Sequence, residues 1–276
     1  MIDKQKRRQE LSLFLKQRRG RISPEAVGLP KGSRRRTPGL RREEIAQLAG
    51  VGLTWYTWLE QGREINVSAQ TLDSIARTLR LSEPERNYLF ELTSPELHLT
   101  QIPSTTKIDP ALQFVLDNQN YCPAYLINWR WDVLAWNQLA CSVLIDFARL
   151  PVEELNILWL MFTNSKFRAR LPNWETVCQQ TIAHFRASCA SYVGNPKYTE
   201  LIERLTSSSF TFQQQWNRCD ILRKHNSLKE FDHPLLGQLK FIMTMFQLND
   251  PPSTKLVLFI PDPDSTTKQK LKKIDL

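Results

Sequence analysis

The sequence has no hydrophobic run long enough to cross a membrane. Its longest apolar clusters, residues 157–162 and 256–260, are far shorter than the roughly 18 residues that a membrane helix needs. The first ten residues, MIDKQKRRQE, carry charges without the apolar segment and cleavage site of a secretory signal. We therefore predict a cytoplasmic protein without a membrane span.

Cysteine and histidine are scarce, and their spacing matches no disulfide or metal pattern. The five cysteines form no C-x-x-C pair and the four histidines form no HExxH motif, which argues against a disulfide framework and a zinc site. The sequence also has no G-x-S-x-G elbow, phosphate-binding glycine loop or paired-carboxylate motif. We therefore expect neither a cofactor nor an enzyme activity.

Positive charge is concentrated at the amino end. Residues 1–42 contain fourteen Lys or Arg and three Asp or Glu, a net charge of +11, whereas residues 43–100 carry −5 and residues 101–276 carry +3. Such a front-loaded basic field attracts a polyanion. Nucleic acid and an acidic membrane surface both fit this distribution, and charge alone does not choose between them.

The first third of the chain has the pattern of a helical domain. Amphipathic spacing predicts four helices and a capping-box sequence predicts the start of a fifth, at 8–18, 42–49, 53–61, 69–80 and from 82 onward. Ser68 is the expected cap of the fourth helix. Glycine, proline and clustered arginine predict a basic loop over 20–39.

A composition change separates this region from the rest of the chain. Residues 94–110 contain three prolines and a Ser/Thr cluster without a helical or strand period, which is typical of a linker. We therefore predict one domain at 1–93, a linker at 94–110 and a second domain at 111–276.

The second domain has the pattern of an α+β fold. Aromatic-rich runs at 123–128 and 132–136 predict a hairpin, followed by a helix that Asn137 caps. Helical spacing dominates 155–219, with shared faces at 155–162 and 174–192 and one or two further helices in 197–219. Apolar runs at 237–248 and 255–260 predict strands.

Residues 42–60 have the spacing of a helix-turn-helix. Ala46 is small where two helices would cross, and Gly50 suits the left-handed conformation that ends the first helix. Inward positions are predicted at Ile45, Leu48, Tyr56 and Leu59. The outer face of the second helix, which would enter the DNA major groove, then carries Leu53, Thr54, Thr57 and Trp58.

Residues 8–93 resemble the lambda-repressor and Xre family of helix-turn-helix proteins. The fuller pattern, RRTPGLRREE at 35–44, WYTWLEQGR at 55–63 and LDSIARTLRL at 72–81, resembles the MmyB-like branch of bacterial regulators. The second half resembles that branch through PAYLINWRWDVLAWN at 123–137 and FDHPLLG at 231–237. The resemblance implies an all-α, five-helix, lambda-repressor-like domain followed by an α+β, PAS-like sensory domain whose effector is of the fatty-acid type.

The motif and the resemblance together predict a set of DNA contacts. These are Arg34, Arg35, Arg36, Arg41, Arg42, Leu53, Thr54, Thr57, Trp58 and Arg63. The arginines would grip phosphate or enter the minor groove, and Leu53 and Trp58 would contact thymine methyl groups. A solvated loop is the alternative for the arginine run. For Trp58 the alternative is packing in a dimer interface or against the next helix.

The second domain is rich in aromatic residues that could line a ligand cavity. The candidate ligand contacts are Trp131, Trp136, Trp159, Phe162, Arg168, Arg170, Trp174, Cys178, Ile182 and Phe185. The two arginines are candidates for a carboxylate head group, with no basis for choosing between them. An ordinary hydrophobic core is the alternative for the apolar stripe at 174–192.

These observations predict a homodimeric, sequence-specific DNA-binding transcription regulator. Its second domain would sense a small apolar or fatty-acid-like molecule, and the ligand would change the spacing of two recognition helices. One rival is an enzyme in residues 111–276, which no motif supports. The other is an RNA-binding or protein-interaction module with a ligand-free second domain.

Overall fold

The computed structural model describes residues 3–30, 39–93, 108–221, 228–249 and 253–274. Helices α1–α5 are Lys4–Arg21, Arg42–Ala49, Leu53–Glu60, Ala69–Thr78 and Glu83–Thr93. Helices α6–α13 are Pro110–Asp117, Gln138–Val143, Ile157–Thr163, Ser165–Arg168, Trp174–Ser188, Pro196–Ser208, Phe210–Trp216 and Thr267–Leu271. Strands β1–β5 are Ala124–Ile127, Val133–Trp136, Leu228–His233, Gly237–Gln247 and Lys255–Pro261. Short 3-10 helices occupy Pro24–Val27, Phe147–Arg149, Val152–Glu154 and Ala190–Tyr192.

The chain divides into two compact units that are not contiguous in sequence. Unit 1 takes its described residues from Met1–Leu99, Ala183–Arg204 and Gln214–Arg223. Unit 2 takes them from Thr100–Ile182, Leu205–Gln213 and Lys224–Leu276. Most of the predicted linker, residues 94–107, lies outside the described residues, and so do Arg34, Arg35 and Arg36.

The five predicted helices of the amino-terminal region are present. Helix α1 extends beyond the predicted 8–18 because the Asp3 carboxylate accepts hydrogen bonds from two backbone N–H groups of its first turn. Ser68 caps α4 by accepting from the N–H of Thr71 at 3.1 Å. The Glu85 carboxylate accepts from the backbone N–H of Ser82 at 2.7 Å, which is the predicted capping-box bond at the start of α5.

Two local expectations for this region were wrong. Leu48 is not an inward residue, because 41% of its surface is exposed; its position on the short helix α2 falls beside the buried stripe formed by Ile45, Ala46 and Ala49. The loop over 20–39 is not wholly irregular, because α1 continues to Arg21 and a 3-10 turn follows at Pro24–Val27. That turn forms because the Ser23 hydroxyl accepts from its backbone.

Unit 2 contains a five-stranded antiparallel sheet with strand order β2-β1-β5-β4-β3. This sheet and its helices confirm the predicted α+β, PAS-like class. The predicted hairpin of β1 and β2 is present, and Asn137 caps α7 by accepting from the N–H of Ala140 at 2.9 Å. Helix α6 packs on one sheet face through the buried Leu116, near Ala124 and Leu126.

Four elements were not predicted from the sequence, namely β3, α6, α9 and α13. Strand β3 is a short edge strand with the mixed sequence LKEFDH, so it has no uninterrupted apolar run to signal it. Helix α6 begins at Pro110, inside the predicted linker, because Asp109 caps it and proline suits the first helical turn. No helix in the described part of the chain is long and apolar enough to cross a membrane.

Candidate DNA-binding surface and ligand cavity

The turn between α2 and α3 has helix-turn-helix geometry. Gly50 ends α2 with a φ of +69°, in the left-handed region, and the N–H of Val51 donates to the carbonyl of Ala46 at 2.9 Å. The Ser74 hydroxyl on α4 donates to the carbonyl of Ala49 at 2.7 Å and satisfies another free carbonyl of the helix end. The predicted role of Gly50 is thereby confirmed.

The predicted outer face of α3 is exposed. Leu53 is 48% exposed, Trp58 is 40% exposed, Thr54 is exposed and Thr57 is half-buried. Tyr56 and Leu59 on the opposite side are buried, as predicted. The Arg63 guanidinium lies 5.7 Å from the ring centroid of Trp58, which is a cation–π distance. A large aromatic and a cation therefore occupy the same exposed surface.

A buried carboxylate organises the arginines near this face. The Glu60 side chain, at the end of α3, is fully buried and accepts from Arg19 Nε at 2.6 Å and Arg42 Nε at 2.7 Å. Burial by itself would raise the pKa of Glu60, but the hydrogen bonds and charge of Arg19 and Arg42 lower that pKa instead. Glu60 is therefore ionised and holds two arginines of different helices.

The two arginines at the start of α2 differ in their surroundings. Arg42 is partly exposed and donates to Glu60 through Nε, which leaves its terminal nitrogens without a bonded partner among the described residues. Arg41 is about half exposed, and its guanidinium lies 3.7 Å from a carboxylate oxygen of Glu43. Its backbone N–H donates to the Glu44 carboxylate at 2.6 Å. Both guanidinium groups are therefore accessible at the amino-terminal end of α2, where the backbone N–H groups have no partner within the helix.

Unit 1 also contains a buried polar network that sequence reasoning missed. Glu10 on α1 forms an ion pair with the fully buried Arg186 on α10 and accepts from the Tyr88 hydroxyl at 2.7 Å. Arg186 Nη2 donates to the carbonyl of Trp216 at 2.6 Å, and its guanidinium lies 3.7 Å from the Trp216 ring centroid. Glu10 and Arg186 are far apart in sequence, so no local pattern links them.

Unit 2 contains an apolar cavity on one face of the sheet. Its lining is aliphatic and aromatic apart from a few polar groups, and comes from the sheet, α8 to α10 and neighbouring loops: Tyr125, Ile127, Trp131, Leu144, Ile157, Met161, Phe167, Leu171, Val177, Thr181, Lys229, Phe231, Met243, Met245 and Phe259. The cavity is partly open and has a volume of about 60 Å³.

Family comparisons agree with both features. A profile described as a helix-turn-helix domain matches residues 10–89. A profile described as the MmyB-like transcription regulator ligand binding domain matches residues 108–274, more than half of the chain. The chain belongs to the MmyB-like transcription regulator family. A search of curated proteins found no match.

Family membership agrees with the resemblance inferred from the sequence. A helix-turn-helix domain joined to an MmyB-like ligand-binding domain is the arrangement of a DNA-binding transcription regulator. The ligand-binding match includes residues 183–204 and 214–221, which belong to unit 1 together with the helix-turn-helix. In this MmyB-like regulator, part of the sequence matched by the ligand-binding profile therefore packs within unit 1, which contains the helix-turn-helix.

The predicted ligand contacts of the MmyB-like regulator occupy several different places. Trp131 lines the cavity and adopts a φ of +66° in the turn between β1 and β2. The other nine do not line it: Trp136, Trp159, Phe162, Arg168, Arg170, Trp174, Cys178, Ile182 and Phe185. Phe162 and Trp174 pack edge to face with centroids 6.0 Å apart. Phe185 belongs to unit 1 and stacks on Tyr198. Their roles in ligand binding stay predictions.

The two predicted head-group arginines also lie away from the cavity lining. The Arg168 guanidinium lies 3.7 Å from the ring centroid of Trp174. Arg170 lines a separate groove with Asn164 and Lys166, and burial lowers the pKa of its guanidinium. Sequence reasoning did not single out Lys229, which lines the cavity. The sequence LKEFDH has no apolar run that would mark it as a strand with a buried face, so no local signal pointed to this residue.

His233, in the FDHPLLG sequence, supports the hairpin of β3 and β4. Its Nδ1 accepts from the backbone N–H groups of Leu235 and Leu236 at 3.2 and 3.1 Å, and its Nε2 lies 3.1 Å from the carbonyl of Ser142. These contacts assign the ring proton to Nε2. Burial, with a contribution from the charge of Arg170, lowers the pKa of His233. Within the described residues, no group of three or more His, Cys, Asp or Glu could hold a metal ion.

Proposed function

We propose that this MmyB-like regulator binds a specific duplex DNA sequence as a homodimer and that a small apolar or fatty-acid-like ligand in the unit 2 cavity controls this binding. The observation that carries the DNA-binding proposal is the exposed outer face of α3 behind the Gly50 turn. This is the face that a helix-turn-helix presents to the major groove.

The side chains of this face suit a mixed mode of base recognition. The Thr54 hydroxyl, in the first turn of α3, can donate to or accept from a base edge, and Leu53 and Trp58 offer apolar contact to thymine methyl groups. Gly52, the residue that precedes α3, has no side chain to cap the helix, so the first N–H groups of α3 are available to a phosphate.

Arg42 is suited to phosphate contact because it is already oriented. Its Nε is bonded to the buried Glu60, so less side-chain freedom is lost when its terminal nitrogens meet a phosphate. Arg41 beside it is more exposed and carries the same charge. Together they supply affinity that does not depend on base sequence.

The geometry of helix-turn-helix recognition supports the proposed homodimer. One recognition helix reads only a few base pairs, and two related by a twofold axis reach half-sites about 34 Å apart.

The cavity supports the ligand part of the proposal through its chemistry. Its lining is almost wholly apolar, as ligand sites commonly are, but its volume of about 60 Å³ is small against the roughly 300–1,000 Å³ of such sites. Met161, Met243 and Met245 are unbranched and adaptable. We propose that these side chains move aside when an acyl chain enters.

We propose that helix α10, whose residues belong partly to each unit, links ligand binding to the DNA-binding helices. It contributes Val177 and Thr181 to the cavity lining and Arg186 to the ion pair with Glu10 on α1. A ligand that prefers one position of α10 would shift the equilibrium between two arrangements of α1. The dimer would then gain or lose the spacing that its operator requires.

Selection from a random duplex library with the full chain tests the DNA-binding proposal. We expect one enriched, twofold-symmetric site, an affinity that falls steeply with salt, and sedimentation of a dimer on that site. Tighter binding to RNA than to any selected duplex would favour the rival RNA-binding function. For the ligand part, acyl ligands should raise the unfolding midpoint; no shift with any chain length would contradict it.

A further inference from the structure

One side chain of the cavity lining is chemically out of place. Lys229 lies on β3 between two exposed or half-buried neighbours, and the alternation of the strand directs it and Phe231 to the buried face. Only 9% of Lys229 is exposed. Lysine is among the residue types that are almost never buried without a partner.

No charged or polar group of the described residues compensates this ammonium. Neither an ion pair nor a side-chain hydrogen bond joins Lys229 to any described residue, and no other described residue of the cavity lining carries a charge. By contrast, Lys240, on the neighbouring strand β4 and pointing to the other face of the sheet, pairs with Glu230 at 3.1 Å. The hairpin therefore satisfies its outer lysine and leaves the inner one uncompensated.

Leaving Lys229 in this position has an energetic cost. An isolated ammonium loses its hydration when it is buried, and this loss is not repaid by any described neighbour. The same desolvation lowers the pKa of Lys229. An anion that enters the cavity would offset this desolvation cost by accepting a short, charge-assisted hydrogen bond from the Lys229 ammonium.

We propose that Lys229 binds the carboxylate of an amphipathic monocarboxylic acid whose apolar chain lies among the methionines and aromatic side chains of the cavity. This inference rests on the proposed ligand-binding function of the cavity. It assigns the head group to Lys229 in place of Arg168 and Arg170, which do not line the cavity. The small volume favours short and medium chains over long ones.

The test compares acids with alcohols of the same length on the full-length protein. Hexanoate, decanoate, hexadecanoate and the matching primary alcohols are titrated by calorimetry. A charge-assisted bond to a buried group should make decanoate bind at least about tenfold more tightly than decanol. Hexadecanoate should bind more weakly than decanoate, because the longer chain exceeds the space that the methionines can open.

Replacing Lys229 by methionine tests whether this residue binds the carboxylate of the ligand. Lys229→Met is compared with Lys240→Met, its matched control. Lys229→Met should weaken decanoate binding by about tenfold to a hundredfold and leave decanol binding unchanged or tighter. Lys240→Met should bind both ligands like the wild type. The Lys229→Met variant should also unfold at a higher temperature than the wild type without ligand, because an uncompensated charge has been removed from an apolar site.

The outcomes separate this inference from the proposed function. Wild-type binding of decanoate that survives Lys229→Met unchanged overturns the role of Lys229 and leaves the cavity as a ligand site. Absence of wild-type binding to both the acids and the alcohols overturns both. If Lys229→Met does not fold, Lys229→Gln replaces it, since the shorter neutral amide removes the charge and keeps a polar end.

Discussion

The carboxylate of Glu60 accepts a hydrogen bond from Arg42 Nε at 2.7 Å, which ties the last residue of α3 to the first residue of α2. Arg19 of α1 occupies the other carboxylate oxygen at 2.6 Å. A fully buried acid therefore joins three helices of the DNA-binding domain and orients an arginine that we assign to phosphate contact.

Glu60→Gln should destabilise the DNA-binding domain by about 3 kcal/mol, because both arginines lose the charge that compensates their partial burial. Chemical unfolding would measure this loss. The control is Glu64→Gln, whose carboxylate pairs with Arg8 at 2.8 Å but is 81% exposed, so we expect a change below about 1 kcal/mol. Equal stability of the two variants would contradict the structural role of Glu60.

Thr54→Ala should change base preference more than overall affinity. A side chain in the first turn of the recognition helix reaches base edges, so we expect a loss of about 1–3 kcal/mol of discrimination at one position. The double variant Arg41→Ala with Arg42→Ala should instead weaken binding to all duplexes and flatten the salt dependence. Binding-site profiles and salt titrations of both variants check this contrast, and an unchanged Thr54→Ala profile would contradict it.

Two glycines with nearly the same backbone conformation should respond differently to alanine. Gly50 and Gly62 have φ values of +69° and +72°, so each substitution incurs about 1–2 kcal/mol of backbone strain. A Cβ at Gly50 meets no atom within 4 Å, whereas a Cβ at Gly62 would lie 2.6 Å from the carbonyl oxygen of Arg8. Gly62→Ala should therefore lower the free energy of unfolding by a further amount of about 1–3 kcal/mol, because the new Cβ is overpacked. Similar unfolding midpoints for the two variants would refute the close approach to α1.

Stability of unit 2 should fall as the pH drops below about 6.5. The pKa of His233 is lowered in the folded state, so the unfolded chain binds the proton more readily, starting near its ordinary pKa of about 6.5. The contribution of His233 is complete above that pH and declines below it, by at most about 1.4 kcal/mol per pH unit. Denaturant unfolding at about pH 7.5 and about pH 5.5 measures how the free energy of unfolding changes with pH, for the wild type and for His233→Gln. A slope that is as steep in the variant would remove His233 as its cause.

The helix-turn-helix was predictable because its signals are local. The small Ala46, the left-handed Gly50 and the period of Tyr56 and Leu59 all act within a few residues, and each has the predicted position. Leu48 was misassigned because an eight-residue helix buries only a narrow stripe, and a leucine at its edge can face solvent.

The ligand cavity was less predictable because aromatic residues serve equally well in a core. Of the ten predicted ligand contacts, Trp131 alone lines the cavity among the residues that the structure describes. Phe162, Trp174 and Phe185 have the same chemistry but pack against other rings. Composition identifies an apolar domain, and the pairing of strands decides which apolar side chains surround a space.

The family, the helical and α+β classes of the two regions, and the exposed face of α3 were predictable from the sequence, because they follow from short-range periodicity and turn chemistry. Three contacts became evident only from the packing of the folded chain: Glu60 joins Arg19 to Arg42, Glu10 meets Arg186, and Lys229 lies in the cavity. These contacts join residues that are distant in sequence, or depend on the register of an edge strand. Their energies come from burial, which no local pattern encodes.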